Sequence, residues 1–267
     1  MNELYYEEIH KANRDYPYIQ LQNINFSYVA HYHKEIEVIY IVSGEATLNI
    51  NGSNTHLSEK DIYIVMPGEI HSILGTNNVI YIMKFFSDHE LTFLKINGYI
   101  TPGNDYYDIF KNIIDEIAFE DTEKKDGYKY AVNMLSNKLI LEIIRTLKPV
   151  RISNHLQKEV LNNMAFLNAV NSFLEENYTH DITVEDLSSN MGYSKYYFSH
   201  MFKDITHQTC IEFIIYFRLE KSKTLLANGN SVTETAYACG FNNLRSFNRS
   251  FKKYYKMTPS EYKNSLE

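Results

Sequence analysis

A short unit written twice in the C-terminal third limits what this chain can fold into. Val184-Glu-Asp-Leu-Ser-Ser-Asn-Met-Gly-Tyr193 is echoed by Val232-Thr-Glu-Thr-Ala-Tyr-Ala-Cys-Gly-Phe241. After one extra residue in the second copy, Phe198, Phe202 and Lys203 correspond to Phe247, Phe251 and Lys252. Thr209, Glu212 and Phe213 then correspond to Thr258, Glu261 and Tyr262. Such self-similarity marks a repeated supersecondary unit. Each copy has the parts of a helix-turn-helix. Small residues (Ser188 and Ser189, or Ala236 and Ala238) sit where two helices must approach. Gly192 or Gly240 supplies the turn, and Tyr193 or Phe241 follows as an apolar plug. Ser194 or Asn242 is placed to cap the next helix. That helix keeps Phe198, Met201 and Phe202, or Phe247 and Phe251, inward.

The outward faces of these second helices carry donors. They are Lys195, Tyr196, Ser199, His200 and Lys203 in the first copy, and Arg245, Ser246, Asn248, Arg249, Lys252 and Lys253 in the second. Such side chains reach base edges and phosphates. A net charge of -7 argues against a nucleic-acid partner only if it is evenly spread. It is not: residues 1–164 hold 15 Lys and Arg against 22 Asp and Glu, whereas residues 165–267 hold 11 of each. No acid lies between Glu234 and Glu261, a local basic surface. A helix of about Ile211 to Leu226 joins the copies. At ~1.5 Å per residue it is roughly 25 Å long, enough to hold two recognition helices about one DNA turn apart. Arg218 and Lys221 on it read as ordinary solvated charges.

These residues resemble the AraC/XylS transcription regulators. The resemblance rests on Ala236-Tyr-Ala-Cys-Gly-Phe-Asn-Asn243, Ser246-Phe-Asn-Arg-Ser-Phe-Lys-Lys-Tyr254 and Met257-Thr-Pro-Ser-Glu-Tyr262. It covers residues 165–263 and implies a seven-helix domain with two helix-turn-helix units. By motif, it puts Tyr196, Ser199 and His200, and then Arg245, Ser246, Asn248 and Arg249, at groove-facing positions. Thr235 departs from the family, which usually has an aliphatic residue there.

The first hundred residues read as β. Candidate strands are Glu37–Ser43, Ala46–Asn51, Asp61–Met66 and Val79–Phe85, separated by Gly44, Asn51-Gly52 and Pro67-Gly68. Short strands between turn signals suggest a small barrel or jelly roll. Two amphipathic helices follow, the first with Tyr107, Phe110, Ile113, Ile114 and Ile117 at helical spacing. The second, about Tyr128 to Leu147, has the stripe Val132, Leu135, Leu139 and Ile143, which packs on its own barrel or on a second copy; we expect a homodimer through it. His31-x-His33-x3-Glu37-x6-Gly44 and Pro67-Gly68-x2-His71 look like the two cupin motifs. Met66 stands where metal-binding cupins usually have proline. In such cupins the matching three His and one Glu hold a divalent metal, and the donor set suits Zn, Fe, Ni or Mn. Cupin-like sensor domains of AraC regulators often keep His-x-His without a known metal. The expectation is therefore a metal-free pocket in which His31, His33, Glu37 and His71 bind a small polar effector such as a sugar, with Tyr32, Tyr40 and Tyr63 lining it. A metal-dependent cupin enzyme or metal sensor is the alternative.

The expected fold class is α+β: a cupin-like barrel (1–104), a helical dimerisation segment (105–149), a linker (150–164) and an all-α DNA-binding domain (165–267). Cys210 and Cys239 have no metal-type spacing and suit a reducing compartment. The acidic first residues are not those of a signal peptide, and no apolar run approaches the ~20 residues of a membrane span. The reading is a cytoplasmic, ligand-responsive regulator rather than an enzyme, without a cofactor. Its partners are double-stranded DNA, a small effector, a second copy and RNA polymerase.

Overall fold

The computed structural model describes residues 18–23, 27–85 and 89–265; the N-terminal stretch read above for targeting lies outside them. Its N-terminal part is one antiparallel sheet built on two long strands, β3 (Ile36–Ile50) and β6 (His71–Phe85), which pair along their length. β1 (Tyr18–Asn23) and β2 (Ser27–His31) lie end to end along the far edge of β6. β4 (Ser53–Leu57) and β5 (Ile62–Val65) do the same on β3. The short β7 (Leu94–Lys95) comes next, and β8 (Tyr99–Ile100) extends the sheet beyond β5. The break expected at Gly44 is a shift of register between Ile41 and Glu45 inside one continuous strand, not a turn.

Alternation along β3 gives the sheet two apolar faces. Ile39, Ile41, Ala46, Leu48 and Ile50 form an inner core with Leu57, Val65 and Ile73. Ile36 and Val38 point the other way, under α1 (Tyr107–Glu123) and α2 (Tyr128–Thr146). Val132, Leu135, Leu139 and Ile143 are packed there against Phe110, Ile113 and Ile117, all 0–3% exposed. This corrects the expected dimer contact: the stripe is the protomer's own core, because α1 and the sheet cover it.

The expected linker is also corrected. β9 (Val150–Arg151) pairs with β7, and α3 (Asn154–Asn177) begins three residues later, capped by the Ser153 side chain. The polar run that read as loop is the solvated first turns of this helix. α4 (Val184–Asn190), α5 (Lys195–Thr206), α6 (Cys210–Ala227), α7 (Val232–Ala238), α8 (Leu244–Tyr255) and α9 (Pro259–Asn264) complete the helical domain, which with α3 has the seven helices the resemblance implies. Four of them start at capping boxes, Thr183/Asp186, Thr209/Glu212, Ser231/Glu234 and Thr258/Glu261. Asn243, not Asn242, caps α8.

The barrel and the helical domain share one apolar cluster. Ala30, Tyr32 and Ile70 from the sheet are buried with Leu167, Val170 and Leu174 of α3 and with Phe198 and Phe202 of α5. The Tyr32 hydroxyl donates to Asn168 Oδ1 at 2.8 Å.

Candidate DNA-binding face and sensor cluster

The two recognition helices are α5 and α8. In α8, Phe247, Phe251 and Tyr255 are buried at i, i+4 and i+8, which turns Arg245, Arg249 and Lys253 to the opposite side. Arg245, Arg249, Lys252 and Lys253 are exposed. Ser246 is engaged locally, its hydroxyl donating to Asn243 O at 2.9 Å. Asn248 sits on the flank, half-buried, with Oδ1 buried and unpartnered among the described residues. In α5, Phe198, Phe202 and Ile205 face inward, and Tyr196 (75% exposed), His200 and Lys203 face outward. The Tyr196 and His200 rings lie 4.4 Å apart. Ser199 is half-buried, and Lys195 is paired with Glu185 at 2.8 Å in the open.

Arg218 and Lys221 are structural. Arg218 donates to the carbonyls of Tyr178 (2.9 Å) and His180 (2.6 Å), and Lys221 to Glu175 (2.7 Å), so both tie α6 to the end of α3. Thr235 is fully buried and its hydroxyl has no partner among the described residues, the cost of a polar group at an aliphatic position. Burial pushes the Cys210 and Cys239 thiols up to about 12, so neither is a ready thiolate.

In the barrel, His31, His33, Glu37 and His71 converge, each 1–3% exposed. His31 and His71 are register partners across β2 and β6, while Glu37 enters from β3 on the face of Ile39. Glu37 Oε2 lies 2.5 Å from His33 Nε2 and 3.1 Å from His71 Nε2. The other nitrogen of each ring faces a backbone carbonyl: His33 Nδ1 to Glu35 O at 3.0 Å, His71 Nδ1 to Glu69 O at 2.8 Å. The His31 ring packs on His71 (4.1 Å between centroids) and Tyr28 (4.5 Å). Burial alone would raise the Glu37 carboxyl, but the hydrogen bonds from His33 and His71 outweigh it and hold it well below the carboxylate range.

The sequence reading missed Lys84, the register partner of Glu37 on β6, whose Nζ lies 3.6 Å from Glu37 Oε2. Burial holds this amine well below the ordinary lysine value. Only strand pairing, which local patterns do not encode, could have placed it. Of the three tyrosines expected around the pocket, Tyr32 points away into the helical domain and Tyr40 packs with the α1/α2 core. Tyr63 is half-buried beside the inner core. A separate cleft of about 480 Å³ lies between barrel and helices, lined by Pro67, Gly68 and Ile70 on one side and Tyr197, His200 and Asp204 on the other.

Residues 187–265 match a family described as a helix-turn-helix domain, and residues 18–74 match the AraC-like ligand binding domain. An HTH-type transcriptional regulator from the cgkA 5' region of Pseudoalteromonas carrageenovora is 38% identical over 106 residues, which span 40% of this chain and 63% of that one. The probable transcriptional regulator LumQ of Photobacterium leiognathi is 24% identical over 250 residues, 92% of this chain and 96% of its own. Among solved structures, ToxT from Vibrio cholerae O395 superposes with a TM-score of 0.52 at 16% identity, covering 94% of this chain and 98% of ToxT, and so shares the fold. These relatives are named as regulators rather than enzymes. With a ligand-binding barrel and a paired helix-turn-helix domain matched in that order, the chain belongs to the AraC family of transcription regulators.

Proposed function

We propose that this protein is a cytoplasmic, sequence-specific regulator that reads double-stranded DNA through α5 and α8, and that an effector held by His31, His33, Glu37 and His71 sets its promoter affinity. One observation carries the link between sensing and reading. His31, the last residue of β2, and His33, two residues beyond it, enter the cluster, while Ala30 and Tyr32, which alternate with them, enter the core of the DNA-binding domain. The base-reading set is Arg245, Arg249, Tyr196 and His200, with Lys203, Lys252 and Lys253 toward phosphate and Lys195, Ser199, Ser246 and Asn248 in supporting positions. Footprinting of the full-length protein on the DNA upstream of its own gene tests this: two protected major-groove segments per chain are expected, and protection indifferent to sequence would sink the reading.

The regulator acts as a homodimer and meets RNA polymerase at the promoter. The dimer surface is the outer side of α2, where Tyr130 (84% exposed), Met134 (64%), Leu141 (40%) and Ile144 (44%) are spaced by four, seven and three residues, a coiled-coil seam with Asn137 at the position between Met134 and Leu141.

A further inference from the structure

We propose that the cleft between the barrel and recognition helix α5 is a second ligand site, and that it takes an amphipathic organic monocation, a primary ammonium group on an apolar body. It lies outside the histidine cluster and beyond the effector reading; only its link to promoter affinity rests on the regulator reading. Its volume of about 480 Å³ suits a small organic molecule, and such sites favour domain interfaces. The walls are apolar and come from both sides. Ile70 and Leu94 belong to the barrel, Val160 to α3 and Met201 to α5. Ile70 is buried and the other three are half-buried, so an apolar body laid between them removes this surface from water.

The charges at the cleft choose the sign of the head group. Glu69 is largely buried, and its Oε2 accepts from Met66 N at 2.9 Å. Its Oε1 has no partner among the described residues, so this carboxylate has room for another donor. Glu159 of α3 and Asp204 of α5 line the helical side; both are exposed, and neither has a hydrogen-bond or ion-pair partner among the described residues. The basic side chains at the cleft are Lys95, His200 and His207. The His200 ring packs on Tyr196, 4.4 Å between centroids, and His207 is turned onto the β3–β4 turn, where a Cβ at Gly52 would come within 2.7 Å of its ring. Lys95 is left facing three carboxylates. A bound anion would be repelled there, whereas an ammonium group supplies the donor that Glu69 lacks. Tyr197, 55% exposed, adds an aromatic face, which also prefers a cation.

Occupancy has a short route to DNA. α5 supplies Tyr197, His200, Met201 and Asp204 to the cleft, and His200 also stands on the outward face of that helix. A body wedged between α5 and the Pro67-Gly68 turn biases how the helix is presented to a groove.

The test is calorimetric titration of the full-length protein with octylammonium chloride, and with octanoate and octanol as probes that keep the tail but reverse or remove the charge. One equivalent of octylammonium per chain is expected, bound at least about tenfold more tightly than either control. Glu69→Gln, which keeps an acceptor for Met66 N, should weaken it about tenfold, and Asp204→Asn about threefold. Val160→Trp fills the apolar side and should abolish binding of all three probes. Circular dichroism shows which variants keep the parent fold, and three of them guard against one failing. Saturating octylammonium should shift promoter affinity about fivefold. No saturable binding, octanoate bound as tightly, or parent-like affinity in every folded variant overturns the site. Binding at the cleft that leaves promoter affinity unchanged overturns its link to DNA. Absence of specific promoter binding in every state would instead sink the regulator reading, with the calorimetry still deciding the cleft.

Discussion

Gly240 and Gly192 turn the two copies of the motif, yet the structure asks different things of them. Both have positive φ, 79° and 73°. A Cβ at Gly192 would meet nothing within 4 Å, whereas one at Gly240 would lie 2.4 Å from Tyr178 O. Gly192→Ala should therefore cost about 1–2 kcal/mol, the price of a left-handed alanine. Gly240→Ala should cost clearly more, because the obstacle is a backbone carbonyl that Arg218 holds in place. Urea unfolding of both variants checks this, and equal midpoints would remove the role of that close approach. On the DNA side, Arg249→Ala should lose about 1–3 kcal/mol of specific binding and relax sequence choice near one base pair. Lys253 lies 3.8 Å from Glu212, so Lys253→Ala should have a smaller effect, equal on promoter and scrambled DNA. Fluorescence anisotropy on both DNAs separates the two. The exposed recognition residues were legible in the sequence because a buried i, i+4 pattern fixes the opposite face. The flank position of Asn248 was not, since it depends on the packing of a neighbour rather than on spacing.

Among the elements, α2 shows where periodicity stops informing. It has two apolar stripes, one through Val132, Leu135, Leu139 and Ile143 and one through Tyr130, Met134, Leu141 and Ile144. The sequence reading found only the first, and that α1 and the sheet cover it is a tertiary fact. With the outer stripe as the dimer surface, Met134→Glu should give monomers in sedimentation at micromolar concentration with an unchanged fold. Leu139→Glu should unfold the barrel instead, since it puts a charge at a fully buried site. β2 makes a second case. Tyr32→Phe keeps the ring but removes the bond to Asn168, so it should cost about 1 kcal/mol and blunt the effect of barrel occupancy on promoter affinity. An unchanged response in that variant would move the coupling route elsewhere. The alternation of His31, Tyr32 and His33 was legible as two opposite directions, although the strand itself ends at His31. That the outer face meets α3 was hidden, because the start of α3 read as linker.

At the scale of the whole molecule, an acidic protein carries a basic strip on a helix-turn-helix domain with balanced charge. If Lys203, Lys252 and Lys253 are the phosphate contacts, affinity should fall with salt at a slope of about −3 in log–log terms, from about three neutralised phosphates per chain. Anisotropy titrations from low to moderate salt measure it, and a slope near zero would mean that the strip does not meet phosphate. Both α5 and α8 also face the barrel: His200 lines the cleft toward Pro67 and Ile70, and Lys253 lines a second cleft with Glu45, His56 and Leu74. The order of domains and the two motifs were legible from the repeat and from the spaced histidines; how the domains dock was not, since it rests on single side chains. That docking bears on exchange between regulators. The segment at the end of β2 that carries His31 and His33 also supplies Ala30 and Tyr32 to the helical core, leaving no insulating layer between them. Barrels and readers of this architecture are therefore not interchangeable parts: a working chimera must carry the socket on α3 together with the strand that fills it.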